Sequence, residues 1–414
     1  MAKLTYQSII DKVAENGTVA FSREEVENIS LSELAQEGIV AIEKEGRFVL
    51  SRFTEAVLPK KTAFVHEYVP PAFFGRLMAD CLCTKNWTEF PSQNILFFGH
   101  AGTGKTECVE YLAEKLGGLP IVMVQGGPNQ TVADFWGENT ITVDKETKQN
   151  KIVFNKGVLY NAFVQGTKLD DDGFQILVNK DGERVYDGTG EPILVEGSKP
   201  AILFCDESSM TPEAVFTAAF NTAMCIPRVP GRGRIATVPT DNNRIIKSHP
   251  GMIMVFAANN NWIGQDTADT YGYTSQIGTK DASTRNRITS FYEFGYNKKA
   301  EDAIIAGNLQ DDKATKQLLT FCNNIRKAYE EDSNIQTVFS TRHIVTIVNK
   351  AKLYLAAGLH KSTSEAVVAA IAYVIIPALF NEEKSGWIMN LNLAFNLPIP
   401  EEKENYMCVL RKKI

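Results

Sequence analysis

Residues 99–106 read Gly99-His100-Ala101-Gly102-Thr103-Gly104-Lys105-Thr106 and fit the pattern G-x-x-x-x-G-K-[ST]. An apolar run at 94–98 precedes this stretch, and a helix-forming run at 107–116 follows it. Glycines let the backbone curl so that N–H groups face phosphate oxygens, while the helix adds its positive N-terminal end. Lys105 is expected to reach the β and γ phosphates, and the Thr106 hydroxyl to hold Mg²⁺. Together with Glu107, these residues form the predicted nucleotide site.

Length, charge and cysteine usage narrow the class of protein. A chain of 414 residues exceeds what one hydrophobic core usually serves, so two or three domains are expected. Because 43 Lys and Arg stand against 49 Asp and Glu, no overall basic field favours nucleic acid. The seven cysteines include no C-x-x-C pair, which fits reduced thiols and a cytoplasmic location. The longest apolar run, 366–380, is shorter than the about 20 residues of a membrane span, so it predicts a buried helix.

Residues 1–58 are predicted to form a small domain of their own. Helical spacing over 4–13 and a second short helix from 31 to about 38 precede a predicted hairpin of 39–42 and 47–50. Helices followed by a hairpin are similar to a winged helix. This segment carries six Lys or Arg against ten Asp or Glu, which favours partner docking or regulation over DNA contact.

From residue 62 to residue 296, strands and helices alternate, which predicts a parallel sheet covered on both faces. The predicted strands are 94–98, 120–124, 201–205 and 252–256. Insertions rich in hairpin signals are expected near 139–155, 168–199 and 228–247. Such insertions are either surface decoration or loops that engage a substrate.

Two carboxylates follow the third predicted strand. Asp206 and Glu207 are expected at the carboxyl edge of the sheet, beside the phosphate loop. There Asp206 is placed to bind Mg²⁺, and Glu207 to polarise the attacking water. An amide among residues 259–261, after the fourth strand, is placed to orient the same water. Without the phosphate loop, these carboxylates would more simply be an acidic strand end that faces solvent.

With these residues in place, the chain resembles the AAA+ ATPases, and within them the MoxR branch that includes CobS, CbbQ, NorQ and GvpN. The resemblance covers about 64–380. Its most specific part is the run Phe256-Ala257-Ala258-Asn259-Asn260 through Gly264-Gln265-Asp266 and Tyr271 to Arg287, which looks like the CobS sensor strand and the loop after it. The resemblance implies that Asn260 is the sensor 1 residue, that ATP and Mg²⁺ are the cofactors, and that the strands ending at 205 and 256 lie next to the phosphate-loop strand.

The resemblance also implies three functional arginines. Asp281-Ala282-Ser283-Thr284-Arg285-Asn286-Arg287 would carry an arginine finger that reaches the γ phosphate in a neighbouring subunit. Arg287 aligns best with the family arginine, and Arg285 stands where CobS and MoxR usually have an acidic residue, so the finger stays open between the two. Phe339-Ser340-Thr341-Arg342 looks like the S-T-R of sensor 2. Independently, Ser340 is expected to N-cap a helix that runs to 355, which places Arg342 in its first turn.

The predicted architecture is an α/β P-loop AAA+ parallel-sheet core with hairpin insertions, a helical lid and a small winged-helix-like N-terminal domain. The lid is expected at 297–380, with a helix that Ser362 caps. A C-terminal tail follows at 381–414, in which Trp387, Leu391 and Phe395 are expected to pack on the lid or on a neighbour.

The predicted function is ATP hydrolysis in a homo-oligomeric, hexameric ring that remodels a protein client, for example one with a von Willebrand A-domain. Likeness to CobS, the ATPase subunit of cobaltochelatase, supports the alternative of a metal-chelatase subunit acting with Co²⁺ or Mg²⁺. A nucleic-acid motor or regulator is an alternative of another class, suggested by the N-terminal domain. The run Gly231-Arg232-Gly233-Arg234 is expected to be a solvated turn or a contact for an acidic partner or nucleic acid.

Overall fold

The computed structural model describes residues 5–16, 18–22, 25, 39–44, 47–52, 68–143, 149–186, 188–263, 280–331, 335–356, 359–360 and 362–397. The chain divides into two compact units: one is 68–297, and the other combines 1–67 with 298–414. Three predicted features lie outside the described residues: the helix near 31–38, the sensor loop at 264–279 and the end of the tail after 397.

The N-terminal segment contains a helix and a three-stranded antiparallel sheet. Helix α1 (Tyr6–Asn16) precedes β1 (Thr18–Ser22), β2 (Ile39–Lys44) and β3 (Arg47–Arg52), which pair in the order β1-β3-β2. Ile9 and Val13 of α1 are buried, as is Leu50 of β3, so the apolar positions of the helix contribute to a small core. The predicted hairpin of β2 and β3 is confirmed.

The unit 68–297 is a layered α/β structure with three insertions. In chain order its elements are α2 (Phe74–Asp80), β4 (Asn94–Gly99), α3 (Lys105–Lys115), β5 (Ile121–Gln125), α4 (Val132–Trp136), β6 (Gly137–Val143), β7 (Asn150–Lys156), α5 (Val158–Val164), β8 (Leu177–Val178), β9 (Arg184–Val185), β10 (Glu191–Pro192), β11 (Ile202–Asp206), α6 (Glu213–Phe220), β12 (Ile235–Val238), β13 (Arg244–Lys247), β14 (Ile253–Ala258), α7 (Ala282–Arg285) and β15 (Ser290–Phe294).

Five of these strands form one parallel sheet in the order β15-β4-β14-β11-β5. Alternate residues of the three central strands, β4, β14 and β11, enter two buried clusters; in β4, Leu96 belongs to one cluster and Ile95 and Phe97 to the other. The predicted parallel sheet with both faces covered is therefore confirmed. The predicted placement of β11 next to β4 is wrong, because β14 pairs with both strands and separates them.

The insertions form small sheets outside this core. β6 and β7 pair as the first predicted hairpin, with Ile141 opposite Ile152. In the second insertion β8 pairs with both β9 and β10, so the hairpin signals of residues 168–199 correspond to a three-stranded sheet. β12 and β13 form the third hairpin, which begins at Ile235.

The helices after residue 297 pack around one core. They are α8 (Lys298–Leu309), α9 (Asp312–Glu330), α10 (Thr341–Ala356), α11 (Thr363–Ala370) and α12 (Asn381–Phe395). The Ser362 hydroxyl accepts the Glu365 N–H at 3.2 Å, which confirms the predicted cap of α11. Trp387, Leu391 and Phe395 of α12 are buried in the same core, so the bundle continues to Phe395 instead of ending at 380. Among the described residues, no helix combines the length and hydrophobicity needed to cross a bilayer.

Candidate nucleotide site

The loop 99–106 joins β4 to α3 through three glycines in left-handed or related conformations. Their φ angles are 135° at Gly99, 71° at Gly102 and 88° at Gly104. A Cβ on Gly99 would lie 2.1 Å from the carbonyl oxygen of Phe294, in the neighbouring strand β15. Backbone conformation therefore favours glycine at all three positions, and close packing also requires it at Gly99. Helix α3 begins directly after the loop, with its N-terminal end at the loop.

Lys105 lies inside this loop and is only 8% exposed. Its Nζ donates to the carbonyl oxygens of Gly99 at 2.7 Å and His100 at 2.8 Å. Carbonyl oxygens solvate the ammonium group in this position, and phosphate oxygens are stronger acceptors for the same donors. The lysine is thus held at the loop, where an anion that enters would meet its ammonium group.

Thr106 and Asp206 meet across 100 residues of sequence, because the carboxyl ends of parallel strands share one edge of the sheet. The Thr106 hydroxyl donates to Oδ2 of Asp206 at 3.0 Å, and the Glu207 N–H donates to Oδ1 of Asp206 at 2.9 Å. A hydroxyl oxygen and a carboxylate are hard ligands that fit Mg²⁺, which usually takes one or two carboxylates together with substrate phosphates and water. In the described part of the chain, no cluster of three or more His, Cys, Asp or Glu offers an all-protein metal cage.

Glu207 adopts a left-handed backbone conformation, with φ 47° and ψ 36°, and it is exposed to solvent. Gly126, just after β5, packs against this turn: its N–H donates to the Asp206 carbonyl oxygen at 2.7 Å. A Cβ on Gly126 would lie 2.2 Å from the Glu207 carbonyl oxygen. Gly126 was not among the predicted site residues, although a glycine pair directly after a strand is a local signal of close backbone approach.

Asn260 follows β14 by two residues and is 5% exposed. Its Oδ1 accepts the Trp262 N–H at 3.1 Å, so its side chain shapes the turn after the strand. This turn lies at the same sheet edge as the phosphate loop, since Ala258 is the register partner of Phe98. The position suits a polar group beside a bound phosphate. The hydrogen bond that Asn260 makes in this structure, to the Trp262 N–H, is the contact expected of a turn residue, which was the other interpretation of the sequence.

The segment with Arg285 and Arg287 begins at Asp281, whose carboxylate accepts the Thr284 N–H at 2.6 Å and caps α7. This hydrogen bond lowers the pKa of Asp281 below its ordinary value. Arg287 donates through Nη1 to the carbonyl oxygen of Ser283 at 3.0 Å and to its hydroxyl at 3.1 Å. Arg285 is half-buried. Both arginines lie at the amino edge of the sheet, since β15 starts three residues after Arg287 and runs parallel to β4.

Arg342 lies in the other unit, where it is exposed in the first turn of α10. The Ser340 N–H donates to Nδ1 of His343 at 3.1 Å. Burial, with the charges of Arg342 and Arg326, lowers the pKa of His343, so its Nδ1 can accept at neutral pH. Arg326 and Glu301 form a buried two-pronged ion pair at 2.9 and 2.7 Å, which the sequence did not indicate.

Two buried cations correct or extend the sequence interpretation. Arg234 is 1% exposed, so the expectation of a solvated or partner-binding side chain is wrong for this residue. Burial lowers its pKa to about 10, and the group remains charged at neutral pH. Lys280 is also buried, and its Nζ donates to the Thr211 carbonyl oxygen at 2.6 Å. No local pattern marks either residue as buried, because their partners are far away in sequence.

The parallel sheet, the glycine loop and the paired Thr106 and Asp206 define a P-loop nucleotide-binding protein. Residues 94–268 match the family model described as the AAA domain (dynein-related subfamily). This part of the chain is therefore an AAA domain, of the class of AAA+ ATPases. A comparison with curated proteins finds no similar sequence.

Among solved structures, the chain is similar to the Holliday junction branch migration motor RuvB of Thermotoga maritima, at 12% identity and a TM-score of 0.42. That alignment covers 83% of this chain and 88% of the motor. A single-site variant of the same motor aligns at 12% identity and a TM-score of 0.38, over 86% of this chain and 92% of the variant.

Proposed function

We propose that the protein hydrolyses ATP as a MoxR/CobS-type member of the AAA+ ATPases, in an oligomeric ring that remodels or activates a protein partner. The observation that carries this proposal is the 3.0 Å contact between the Thr106 hydroxyl and Asp206. A strand-to-helix turn alone would not need a hydroxyl and a carboxylate at one point beside a glycine loop. ATP with Mg²⁺ is the ligand that uses all of these groups together.

We assign each residue a role that its position supports. Residues 99–106 cradle the phosphates through backbone N–H groups, and Lys105 exchanges its carbonyl contacts for phosphate oxygens. Thr106 and Asp206 would hold a Mg²⁺ ion, which would neutralise charge on the phosphate oxygens. Glu207 accepts a proton from the attacking water, and Asn260 orients that water. Arg342 of the helical bundle is the proposed sensor 2 arginine.

The arginine finger is proposed to act on a neighbouring subunit. The carbonyl oxygen of Arg287 accepts a hydrogen bond from Asn94, the first residue of β4, whereas the phosphate loop follows the last residue of β4. A strand of this length spans about 17 Å at the usual rise per residue. Arg287 therefore starts far from the phosphate loop of its own sheet, and a loop in another copy of the chain is the target that suits it. Arg285 remains the second candidate for the same role.

Glu207→Gln tests the chemistry without removing a binding contact. The amide keeps the size of the side chain but cannot accept the proton, so the variant is expected to bind ATP, assemble and lose about 10²-fold or more in turnover. Glu110→Gln, on the exposed surface of α3, is the matched control and should keep wild-type turnover. Nucleotide binding, particle mass and phosphate release are measured in parallel. Sustained turnover by Glu207→Gln in an assembled particle would contradict the assigned base.

A further inference from the structure

A buried hydrogen-bonded cluster surrounds Asn94 at the amino end of β4. The Asn94 side-chain amide group donates to the carbonyl oxygens of Met224 and Arg287, both at 2.7 Å. Its Oδ1 accepts from Nη1 of Arg234 at 2.6 Å. The main chain of Asn94 is tied to the same region, because its carbonyl oxygen accepts the Thr289 hydroxyl at 2.7 Å. One side chain thus joins the end of α6, the third insertion and the segment that carries Arg287.

The chemistry of these partners fixes the orientation of the Asn94 amide. A guanidinium group only donates, so it must face the oxygen; carbonyl groups only accept, so they must face the nitrogen. A flipped amide would place its single oxygen against both carbonyl oxygens and its nitrogen against the guanidinium group of Arg234. Asn94 therefore has one satisfied arrangement, and this arrangement includes the hydrogen bond to the Arg287 main chain.

Arg234 secures the cluster at a considerable energetic cost. Besides Asn94, its guanidinium donates to the carbonyl oxygens of Gln93 at 2.8 Å and Ala223 at 3.2 Å. These acceptors are neutral, and no carboxylate among the described residues pairs with Arg234. A buried cation with such partners forgoes much of the compensation for its lost hydration. A buried arginine with neutral partners contributes little to the free energy of unfolding. It does restrict its hydrogen-bond acceptors to one arrangement, because any other arrangement would leave the cation without partners. Arg234 itself is held by its N–H, which donates to the Ser248 hydroxyl at 3.0 Å.

We propose that Asn94, oriented by Arg234, is a positioning residue for Arg287: it fixes the main chain from which the arginine reaches the nucleotide of the neighbouring subunit. This inference rests on the proposed trans role of Arg287. Removing the Asn94 amide hydrogens frees the Arg287 carbonyl oxygen. Because a displacement of about 1 Å can cost about 10²-fold in rate, the defect should appear at the neighbour's active site.

The test separates this role from a general loss of stability by mixing two variants. A Glu207→Gln subunit cannot hydrolyse ATP but still offers Arg287, and an Arg287→Ala subunit has an intact site but offers no finger. Mixed rings should turn over ATP faster than either variant alone. Asn94→Asp is then placed in one of the two subunits at a time. This change keeps the size of the side chain and strengthens the contact with Arg234, yet it removes both N–H donors.

In the Glu207→Gln subunit, Asn94→Asp is expected to lower turnover of the mixture by about 10²-fold. In the Arg287→Ala subunit, Asn94→Asp is expected to leave turnover within about twofold of the parental mixture, since that subunit has no arginine finger for Asn94 to position. Equal losses in both placements, or no loss in the first, would overturn the positioning role. A parental mixture that stays as inactive as its components would overturn the trans finger, and this inference with it.

Arg234→Met supplies an independent variant, because it removes the guanidinium that orients Asn94. It should show the same dependence on which subunit carries it, with Arg232→Met, at an exposed arginine two residues earlier, as the matched control. Thermal unfolding of each single variant identifies any placement that fails through misfolding. A symmetric defect of Arg234→Met would contradict the proposal even if Asn94→Asp were asymmetric.

Discussion

At the scale of single residues, Gly126 is the position where the edge strand meets the turn of the candidate base. An alanine Cβ there would lie 2.2 Å from the Glu207 carbonyl oxygen, a main-chain atom that has little freedom to move. We expect Gly126→Ala to cost about 1–3 kcal/mol of stability, as overpacking does, and to lower ATP turnover by displacing Glu207.

Gly127→Ala is the matched control, because its Cβ would meet only the Gln130 side chain, at 3.9 Å. Thermal unfolding and ATP turnover of both variants check the prediction. If the two variants have the same unfolding temperature and the same ATP turnover, the close contact between Gly126 and Glu207 matters neither for stability nor for activity.

His249 gives the unit 68–297 a pH dependence of known sign. The residue is 2% exposed, its Nδ1 accepts the Gly251 N–H at 3.0 Å, and burial lowers its pKa to about 4 from 6.5. Between these values the unfolded chain binds the proton and the folded protein does not. The free energy of unfolding should therefore fall by about 3 kcal/mol as the pH drops from 6.5 to 4, with this contribution fully present above 6.5.

His249→Asn isolates this contribution, because an asparagine oxygen can accept the same N–H but does not titrate. Denaturant unfolding of both proteins at pH 7 and near pH 4 measures the difference. Identical pH dependence in the two proteins would contradict a buried neutral His249.

At the scale of elements, local patterns were enough to predict most strands but not their order. Continuous apolar runs such as 202–205 predict a strand buried on both faces. The glycine loop at 99–106 predicts that a helix begins directly after it. Whether β11 or β14 lies beside β4 depends on crossover connections across the whole unit, which no local pattern records. The burial of Arg234 escaped prediction for the same reason, since its partner Asn94 is 140 residues away.

In the candidate site, too, local motifs could be predicted from the sequence, whereas contacts between distant residues could not. The phosphate loop, Asp206 and Glu207 could be predicted, because a glycine-rich loop with Lys and Thr, followed later by a strand that ends in two carboxylates, is rarely found outside nucleotide sites. The clustering of Asn94, Arg234 and the Arg287 main chain has no sequence signal, because neutral hydrogen-bond partners leave no charge or motif in the chain.

Helix α12 carries a prediction about the helical bundle. Trp387 is fully buried in the bundle core, whereas Leu393 on the same helix is 69% exposed. Trp387→Ala should cost about 3–5 kcal/mol, and Leu393→Ala should stay within about 0.5 kcal/mol. Denaturant unfolding, followed with hydrogen exchange of α10 and α12, measures both. A mild effect of Trp387→Ala would contradict the inclusion of α12 in the bundle core.

At the scale of the whole molecule, the proposal is that one chain holds only part of a working site. The phosphate loop, the candidate metal ligands and the candidate base of one chain lie at one edge of its sheet, and its candidate finger is anchored at the opposite edge. In this proposal, a second copy of the chain supplies the missing arginine when copies associate. The formal charge of −6 gives such a ring no general attraction for nucleic acid, which is consistent with a protein client.

The most direct test of this central claim is ATP turnover per subunit across a protein concentration series, with particle mass measured on the same samples. Turnover should be nearly absent in monomers and rise by about 10³-fold or more as rings form, since a finger in trans contributes on this order. The double variant Arg285→Ala and Arg287→Ala should assemble and remain inactive. Turnover per subunit that stays constant from monomer to ring, or wild-type turnover by the assembled double variant, would contradict an active site completed between subunits.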